Sequence, residues 1–175
     1  MAERVEVLLS EEEVDERIRK MGEEISRDYA GKDIHLICIL KGGSFFMCEL
    51  AKRITVPVSI DFMSLSSYGE STESGGVVKI VKDLEESLEG RHVLVVEDIV
   101  DTGRSLSFLL DELKNKGAAD VKLCVLLDKP ERRVVDIEAD YTGFKIPDEF
   151  VVGYGMDYAQ RYRNLPYVGV VKFDS

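Results

Sequence analysis

The sequence contains few of the features that mark several common classes of protein. No apolar run approaches the roughly 20 residues that a membrane-spanning helix needs, which argues against a membrane partner or an integral membrane protein. The N-terminal residues are charged and lack the apolar segment of a signal peptide, so a cytoplasmic location is favoured. Only two histidines are present, and no dinucleotide-binding glycine pattern, which argues against a histidine-based catalytic triad and against nicotinamide binding.

Cysteine is also scarce. The three cysteines, Cys38, Cys48 and Cys124, lie far apart in mostly apolar surroundings. They show no metal-ligand spacing, and an odd number in a cytoplasmic chain predicts buried free thiols rather than disulfides.

Basic residues are outnumbered by acidic residues. The chain has 23 Lys and Arg against 34 Asp and Glu, a net charge of -11. This charge argues against sequence-independent binding to nucleic acid. It does not exclude a small phosphorylated ligand, because a local site can oppose the overall charge. With 175 residues, 45% of them hydrophobic, the chain is long enough for one domain with a substantial core.

Apolar strands alternate with helices along the chain. Ser10 and Glu13 have capping-box spacing, and Val14 and Ile18 begin a helical apolar stripe. The patterns predict helices at 11–29, 45–53 and 105–116, strands at 34–40, 56–65, 77–81, 92–96 and 121–127, and short apolar segments at 150–152 and 168–173. This order predicts an α/β fold with a mostly parallel, twisted sheet flanked by helices.

Ligands of such sheets bind at the carboxyl ends of the strands. That rule selects residues 41–43, 97–105, 128–130 and 153–163. The polar, glycine- and serine-rich stretch 66–76 is either an inert hairpin tip or a mobile lid over a site.

The most informative stretch is 97–105, EDIVDTGRS. A buried strand delivers two adjacent carboxylates to a loop, and the following turn leads into a helix. Its backbone N–H groups and hydroxyls form a suitable cradle for one phosphate. Ordinary helix capping explains the Asp and Thr equally well on spacing alone. The two adjacent acids favour a bound ligand, because ionised acids at a strand end need a partner. Ribose hydroxyls could donate hydrogen bonds to both acids, and Mg²⁺ could neutralise their charge.

This stretch closely resembles the phosphoribosyl-pyrophosphate motif of type I phosphoribosyltransferases, in the form of their 6-oxopurine branch. The resemblance extends over about residues 35–173. It implies a single domain over 1–175 with a small hood built from the N-terminal segment and residues about 128–175. It also implies a mobile lid over about 66–78.

The resemblance implies a role for each residue of the turn. Glu97 and Asp98 would hold the ribose hydroxyls, directly or through Mg²⁺. Asp101 would be the catalytic residue: it would face N7 of a purine and act as a general base or hold a proton there. The phosphoribosyl group would be bound by Asp101, Thr102, Gly103, Arg104 and Ser105.

The resemblance also implies a pyrophosphate site. Lys41, Gly42 and Gly43 match the pyrophosphate loop, in which the Leu40–Lys41 peptide would be cis. Alone, these residues are a plain turn, and they lack the ending of a Walker loop. Ser67 and Tyr68 match the lid, and Arg163 would contact pyrophosphate.

The base pocket is implied by a third set of residues. Lys129 would donate to the 6-oxo group, which favours hypoxanthine or guanine because an ammonium cannot accept from adenine. Phe150 would stack on the purine, and the carbonyls of Val151 and Asp157 would accept from a 2-amino group. The Asp157 side chain would hold a second Mg²⁺ through water. The pair Gly155-Met156 departs from the family pattern.

Together these features imply a purine-salvage transferase. It would use phosphoribosyl pyrophosphate, Mg²⁺ and hypoxanthine or guanine, and it would be a homodimer or homotetramer. One alternative is a regulator that keeps the fold and binds nucleotide or RNA, for which a basic face and loss of the acid at position 101 would be typical. Another is a relative specific for xanthine or for a pyrimidine.

Overall fold

The computed structural model describes residues 2–68 and 77–174. Within these residues there are three α-helices, a short 3-10 helix and nine strands. The helices are α1 (Glu11–Asp28), α2 (Ser44–Ala51) and α3 (Arg104–Lys114), and the 3-10 helix is Pro130–Arg132. The strands are β1 (Glu3–Leu9), β2 (Ile34–Leu40), β3 (Val58–Tyr68), β4 (Val77–Lys82), β5 (His92–Val100), β6 (Asp120–Asp128), β7 (Tyr141–Lys145), β8 (Val151–Val152) and β9 (Val168–Phe173).

The main sheet has six strands in the order β4-β3-β2-β5-β6-β7. All neighbouring strands are parallel except β3 and β4, which form an antiparallel pair at one edge. The central strand β2 is apolar on both faces because both faces are covered. These features confirm the predicted α/β class with a mostly parallel sheet.

Two apolar clusters cover the two faces of this sheet. One contains the buried stripe of α1, which includes Val14 and Ile18, together with Phe46 of α2. The other contains the stripe of α3, including Leu109 and Leu113. The apolar periodicity that predicted α1 and α3 is therefore the periodicity of the core contacts.

A separate antiparallel sheet has the order β1-β9-β8. Its strands come from the N-terminal segment and the last third of the chain, from which a small hood was expected. β1 pairs with β9 over most of its length, from Glu3 opposite Phe173 to Leu9 opposite Val168. The sequence patterns predicted neither β1 nor β7, which lies at the edge of the main sheet. The division of the chain into a domain, hood and lid stays a prediction.

Several sequence predictions are confirmed and one needs correction. Ser10 and Glu13 form both hydrogen bonds of the capping box, each 3.1 Å long. The Leu40–Lys41 peptide bond is cis, as the resemblance implied. Cys48 is exposed, so the prediction that every thiol is buried is wrong; α2 turns this residue outward. None of the helices in residues 2–68 and 77–174 is long and apolar enough to span a membrane.

Candidate active site

The two adjacent acids lie at the carboxyl end of β5. The strand continues to Val100, so the prediction that it stops at residue 96 and leaves Glu97 and Asp98 in a loop is wrong. Parallel pairing with β6 extends the strand to Val100, opposite Asp128. Each acid accepts a hydrogen bond from the next backbone N–H, at 3.0 Å for Glu97 and 2.8 Å for Asp98. Burial and the charge of Asp98 raise the pKa of Glu97 well above its ordinary value.

The turn after β5 is held in shape by its own side chains. Asp101 Oδ1 accepts from the N–H of Thr102 at 2.6 Å, and Thr102 Oγ1 accepts from the N–H of Arg104 at 3.4 Å. Gly103 has a φ of 84° and precedes α3, a conformation that favours glycine. A cavity of about 240 Å³ opens here, and it is lined by Glu97, Asp98, Ile99, Val100, Asp101, Thr102, Gly103, Ser105 and Leu106. Arg104 does not line this cavity.

A second cavity, of about 200 Å³, shares three of these residues. It is lined by Asp98, Ile99, Asp101, Lys129, Phe150, Val151, Met156 and Asp157. The structure therefore brings the predicted base-pocket residues against the predicted ribose and phosphate residues. The shared wall is formed by Asp98, Ile99 and Asp101.

The second cavity combines one cation with an exposed aromatic ring. The side chain of Lys129 is only 13% exposed, and its Nζ lies 3.9 Å from Asp148 Oδ1. Its backbone N–H donates to the carbonyl of Val100 at 2.9 Å, which joins the ends of β5 and β6. Phe150 is 52% exposed, and its ring packs edge to face against that of Tyr158, with the two ring centroids 5.5 Å apart. A planar ligand could cover Phe150 while a hydrogen-bond acceptor faces Lys129.

The loop after β2 lies against both neighbouring loops. A Cβ atom at Gly42 would overlap the carboxylate of Asp98, and one at Gly155 would overlap the carbonyl oxygen of Gly42. Gly155 also has a φ of 97°. Residues 41–43, the end of β5 and the β8–β9 connection can approach this closely only because these two positions have no side chain.

The connection between β8 and β9 carries a polar network. Arg163 donates to the carbonyl of Gly155 at 2.7 Å and to Gln160 Oε1 at 3.1 Å, and it lies 3.5 Å from Asp157 Oδ1. Lys41 reaches the same Gln160 oxygen at 3.4 Å. Lys41 and Arg163 are therefore held near each other, although they lie 122 positions apart in the sequence.

The lid prediction falls largely outside the described residues. The backbones of Ser67 and Tyr68 lie at the end of β3, opposite Val78 and Val77 of β4. Their side chains, and residues 69–76, are outside the described part, so the predicted lid of about 66–78 stays a prediction.

The acids of the site suit a magnesium ion shared with a substrate. In the described part of the chain, no group of three or more His, Cys, Asp or Glu side chains is arranged to hold a metal ion. Glu97, Asp98 and Asp157 instead line the two cavities with carboxylate oxygens, which are the donors that Mg²⁺ prefers. Mg²⁺ commonly uses one or two carboxylates together with substrate oxygens and water.

Comparison with known proteins decides the family. The sequence pattern of the phosphoribosyl transferase domain matches residues 5–159. The chain belongs to the phosphoribosyl transferase family. This confirms the family that the residues of the β5 turn indicated.

Individual relatives of this phosphoribosyl transferase agree with that assignment. It is 55% identical over 166 residues to a hypoxanthine-guanine phosphoribosyltransferase of Streptococcus pneumoniae, covering 95% of this chain and 92% of the relative. It is equally similar to the bifunctional protein TilS/HprT of Listeria monocytogenes, of which it spans only 26%. The solved hypoxanthine phosphoribosyltransferase of Staphylococcus aureus has a TM-score of 0.92 at 50% identity, with 95% of this chain and 91% of that chain covered. The fold is therefore that of type I phosphoribosyltransferases.

Sequence reasoning missed some residues of this phosphoribosyl transferase site. Ile99 lines both cavities, and Gln160 links Lys41 to Arg163. Ile99 could have been suspected because it lies inside the motif. Gln160 carries no local signal, because its contacts depend on a backbone with φ of 66° in a long connection.

Proposed function

We propose that this phosphoribosyl transferase moves ribose 5-phosphate from phosphoribosyl pyrophosphate to N9 of hypoxanthine or guanine. The C1′–N9 bond forms, the C1′–O bond to pyrophosphate breaks, and the purine loses one proton. The observation that supports this most is the pair of adjoining cavities that share Asp98, Ile99 and Asp101. Two cavities with a common wall suit a reaction between a sugar phosphate and a flat base.

The first cavity is assigned to the sugar phosphate. The carboxylates of Glu97 and Asp98 would accept hydrogen bonds from the ribose 2′ and 3′ hydroxyls. The N–H groups and hydroxyls of residues 101–105 would bind the 5′-phosphate at the start of α3. Arg104 contributes its backbone to this turn.

The second cavity is assigned to the purine. Lys129 carries only donors, so it would bind the 6-oxo group of hypoxanthine or guanine and reject the amino group of adenine. Phe150 would stack on the base. The carbonyls of Val151 and Asp157 would accept from the 2-amino group of guanine. Asp101 lies in the wall between the cavities, where it would take the proton from N7, a contribution of about 10²–10⁴-fold in rate.

The leaving pyrophosphate is assigned to the loop at Lys41, Gly42 and Gly43. The loop's backbone N–H groups and the side chains of Lys41 and Arg163 would face its negative charge, and Ser67 and Tyr68 would cover it as part of a lid that excludes water. A Mg²⁺ ion held by the carboxylates of Glu97 and Asp98, and a second held by Asp157 through water, would neutralise part of the pyrophosphate charge when bound. Assembly into a homodimer or homotetramer stays a prediction.

An ultraviolet turnover assay tests the proposed reaction. The protein is incubated with phosphoribosyl pyrophosphate and Mg²⁺ and with hypoxanthine, guanine, xanthine, adenine or uracil in turn, with a metal-free control. We expect metal-dependent nucleotide formation with hypoxanthine or guanine and none with adenine. Turnover with adenine or uracil alone would contradict the base assignment. Tight binding of phosphoribosyl pyrophosphate without turnover of any base would favour the regulator.

An Asp101→Asn variant tests the assigned base. We expect turnover to fall about 10²–10⁴-fold while calorimetric affinity for phosphoribosyl pyrophosphate is kept. Asp33→Asn is the matched control, because Asp33 is exposed and does not line either cavity. Unchanged turnover of the Asp101 variant would remove this residue from the mechanism.

A further inference from the structure

Arg133 joins three parts of the chain beneath the candidate site. Its side chain is only 18% exposed. Nε donates to the backbone carbonyl of Asp101 at 3.2 Å. The two terminal nitrogens donate to the carbonyl of Ile137 and to the carboxylate of Asp128, which ends β6. One guanidinium therefore connects the turn after β5, the end of β6 and the segment that leads to β7.

The same segment packs against the turn at two further points. The N–H of Val134 donates to the carbonyl of Thr102 at 3.1 Å. A Cβ atom at Gly103 would come within 2.5 Å of Ile137 and 3.0 Å of Val135. Residues 133–137 thus form the surface on which the turn rests, and Arg133 is the polar anchor of that surface.

We infer that Arg133 is a positioning residue for the turn that carries Asp101. It acts through the backbone carbonyl of Asp101 and does not line either cavity. The planar guanidinium can hold its three acceptors at once, whereas a lysine ammonium presents donors from a single point and lacks this fork. Holding the turn in place fixes the position of Asp101 relative to the phosphate-binding N–H groups.

The kinetic part of this inference rests on the proposed function. If Asp101 acts on a purine bound in the second cavity, small displacements of the turn reduce the rate strongly. Misplacement by about 1 Å costs on the order of 10²-fold in rate. Loss of Arg133 should therefore affect turnover far more than loss of a comparable arginine elsewhere.

Arg17 provides that comparison. It is also partly buried and donates to two backbone carbonyls, those of Gly143 at 2.9 Å and Thr142 at 2.7 Å. These contacts join α1 to β7, and Arg17 does not line either cavity. Arg17→Met thus removes a similar structural arginine without touching the turn.

The experiment compares Arg133→Met, Arg133→Lys and Arg17→Met. For each variant, thermal melting gives the folded fraction, and steady-state kinetics with hypoxanthine give kcat and KM per folded molecule. Amide hydrogen exchange at Val134 reports whether its hydrogen bond to Thr102 persists, independently of any activity. We expect Arg133→Met to lower kcat about 10²-fold and to speed exchange at Val134, with Arg133→Lys intermediate. Arg17→Met should keep both within about twofold of the wild-type protein.

The outcomes distinguish failure of the positioning role of Arg133 from failure of the proposed function. If Arg133→Met keeps kcat and the protection of Val134, or if Arg17→Met changes both to the same extent, Arg133 has no special positioning role. If the wild-type protein shows no turnover of any base, the proposed function fails. In that case amide exchange at Val134 alone tests the role of Arg133. Faster exchange only in the Arg133 variants supports a role in positioning the turn, and equal exchange in all variants contradicts it.

Discussion

Replacing Lys129 by methionine should reduce the use of 6-oxopurines selectively. The substitution keeps the length and apolar stem of the side chain but removes its charge and its donors. Because the Lys129 side chain is only 13% exposed, water cannot easily take over its hydrogen bond to a bound base. The partner carboxylate of Asp148 is 44% exposed, so it can be solvated after the change and the cost in stability should be small.

The magnitude follows from the type of hydrogen bond. A hydrogen bond from a charged donor contributes about 1.5–3 kcal/mol. Since about 1.4 kcal/mol corresponds to a tenfold change, kcat/KM for hypoxanthine and guanine should fall about 10- to 100-fold. KM for phosphoribosyl pyrophosphate should stay unchanged, because Lys129 lines the second cavity and not the first.

Steady-state kinetics with each substrate varied in turn would measure both effects. Lys145→Met is the matched control, because Lys145 lies exposed on β7 and does not line either cavity. A variant that loses affinity for phosphoribosyl pyrophosphate but uses hypoxanthine normally would refute the assignment of the second cavity to the base. Equal losses in the two lysine variants would show that the effect is not specific to the pocket.

Three further predictions concern the stability of the fold and the loop contact at Gly155. Asp61 is buried and accepts three backbone N–H hydrogen bonds, so Asp61→Asn should lower the free energy of unfolding in urea by about 1–3 kcal/mol. Burial raises the pKa of Asp61, but these hydrogen bonds outweigh burial, so the pKa lies below its ordinary value. The ionised carboxylate therefore stabilises the fold above about pH 4, and this stabilisation is lost as the pH falls through the folded-state pKa. The Asn variant should lack this pH dependence. Gly155→Ala should reduce turnover, because the new Cβ would overlap the carbonyl oxygen of Gly42. Gly31 also has a positive φ but lies in open space, so Gly31→Ala should leave turnover unchanged. Equal kinetics of the two variants would contradict a role for the contact between Gly155 and Gly42. Ser10→Ala should lower the free energy of unfolding by about 1 kcal/mol through loss of the capping box, and an unchanged urea midpoint would contradict that role.

Local patterns were sufficient for the elements that form the centre of the fold. The apolar stripe after Ser10 predicted α1 to within a residue at its C-terminal end. The run at 34–40 coincides with β2, because a strand buried on both faces is apolar at nearly every position; His35 is the one polar residue in it. The β5 turn was recognised because its acids, glycine and hydroxyls are contiguous in the sequence.

Elements whose stability depends on distant partners could not be predicted in the same way. β1 reads ERVEVLL, in which charged and apolar residues are mixed without regular alternation, and it is ordered by pairing with β9 at the other end of the chain. β7 is a short edge strand that contains Gly143 and depends on β6. The extension of β5 to Val100 likewise follows from pairing with β6, because β-strand boundaries depend on the neighbouring strand as much as on the residues themselves.

For the candidate site, the sequence by itself determined which chemical groups are available: the acids at 97, 98 and 101, the hydroxyls and glycine of the turn, and the lysine at 129. Tertiary structure alone decided how they meet. The overlap of two cavities at Asp98 and Asp101, the approach of Gly155 to Gly42, and the anchoring of the turn by Arg133 all join segments far apart in the chain. Such contacts depend on how strands and loops from different parts of the chain pack together, and these individual loop contacts leave no periodic pattern in the sequence.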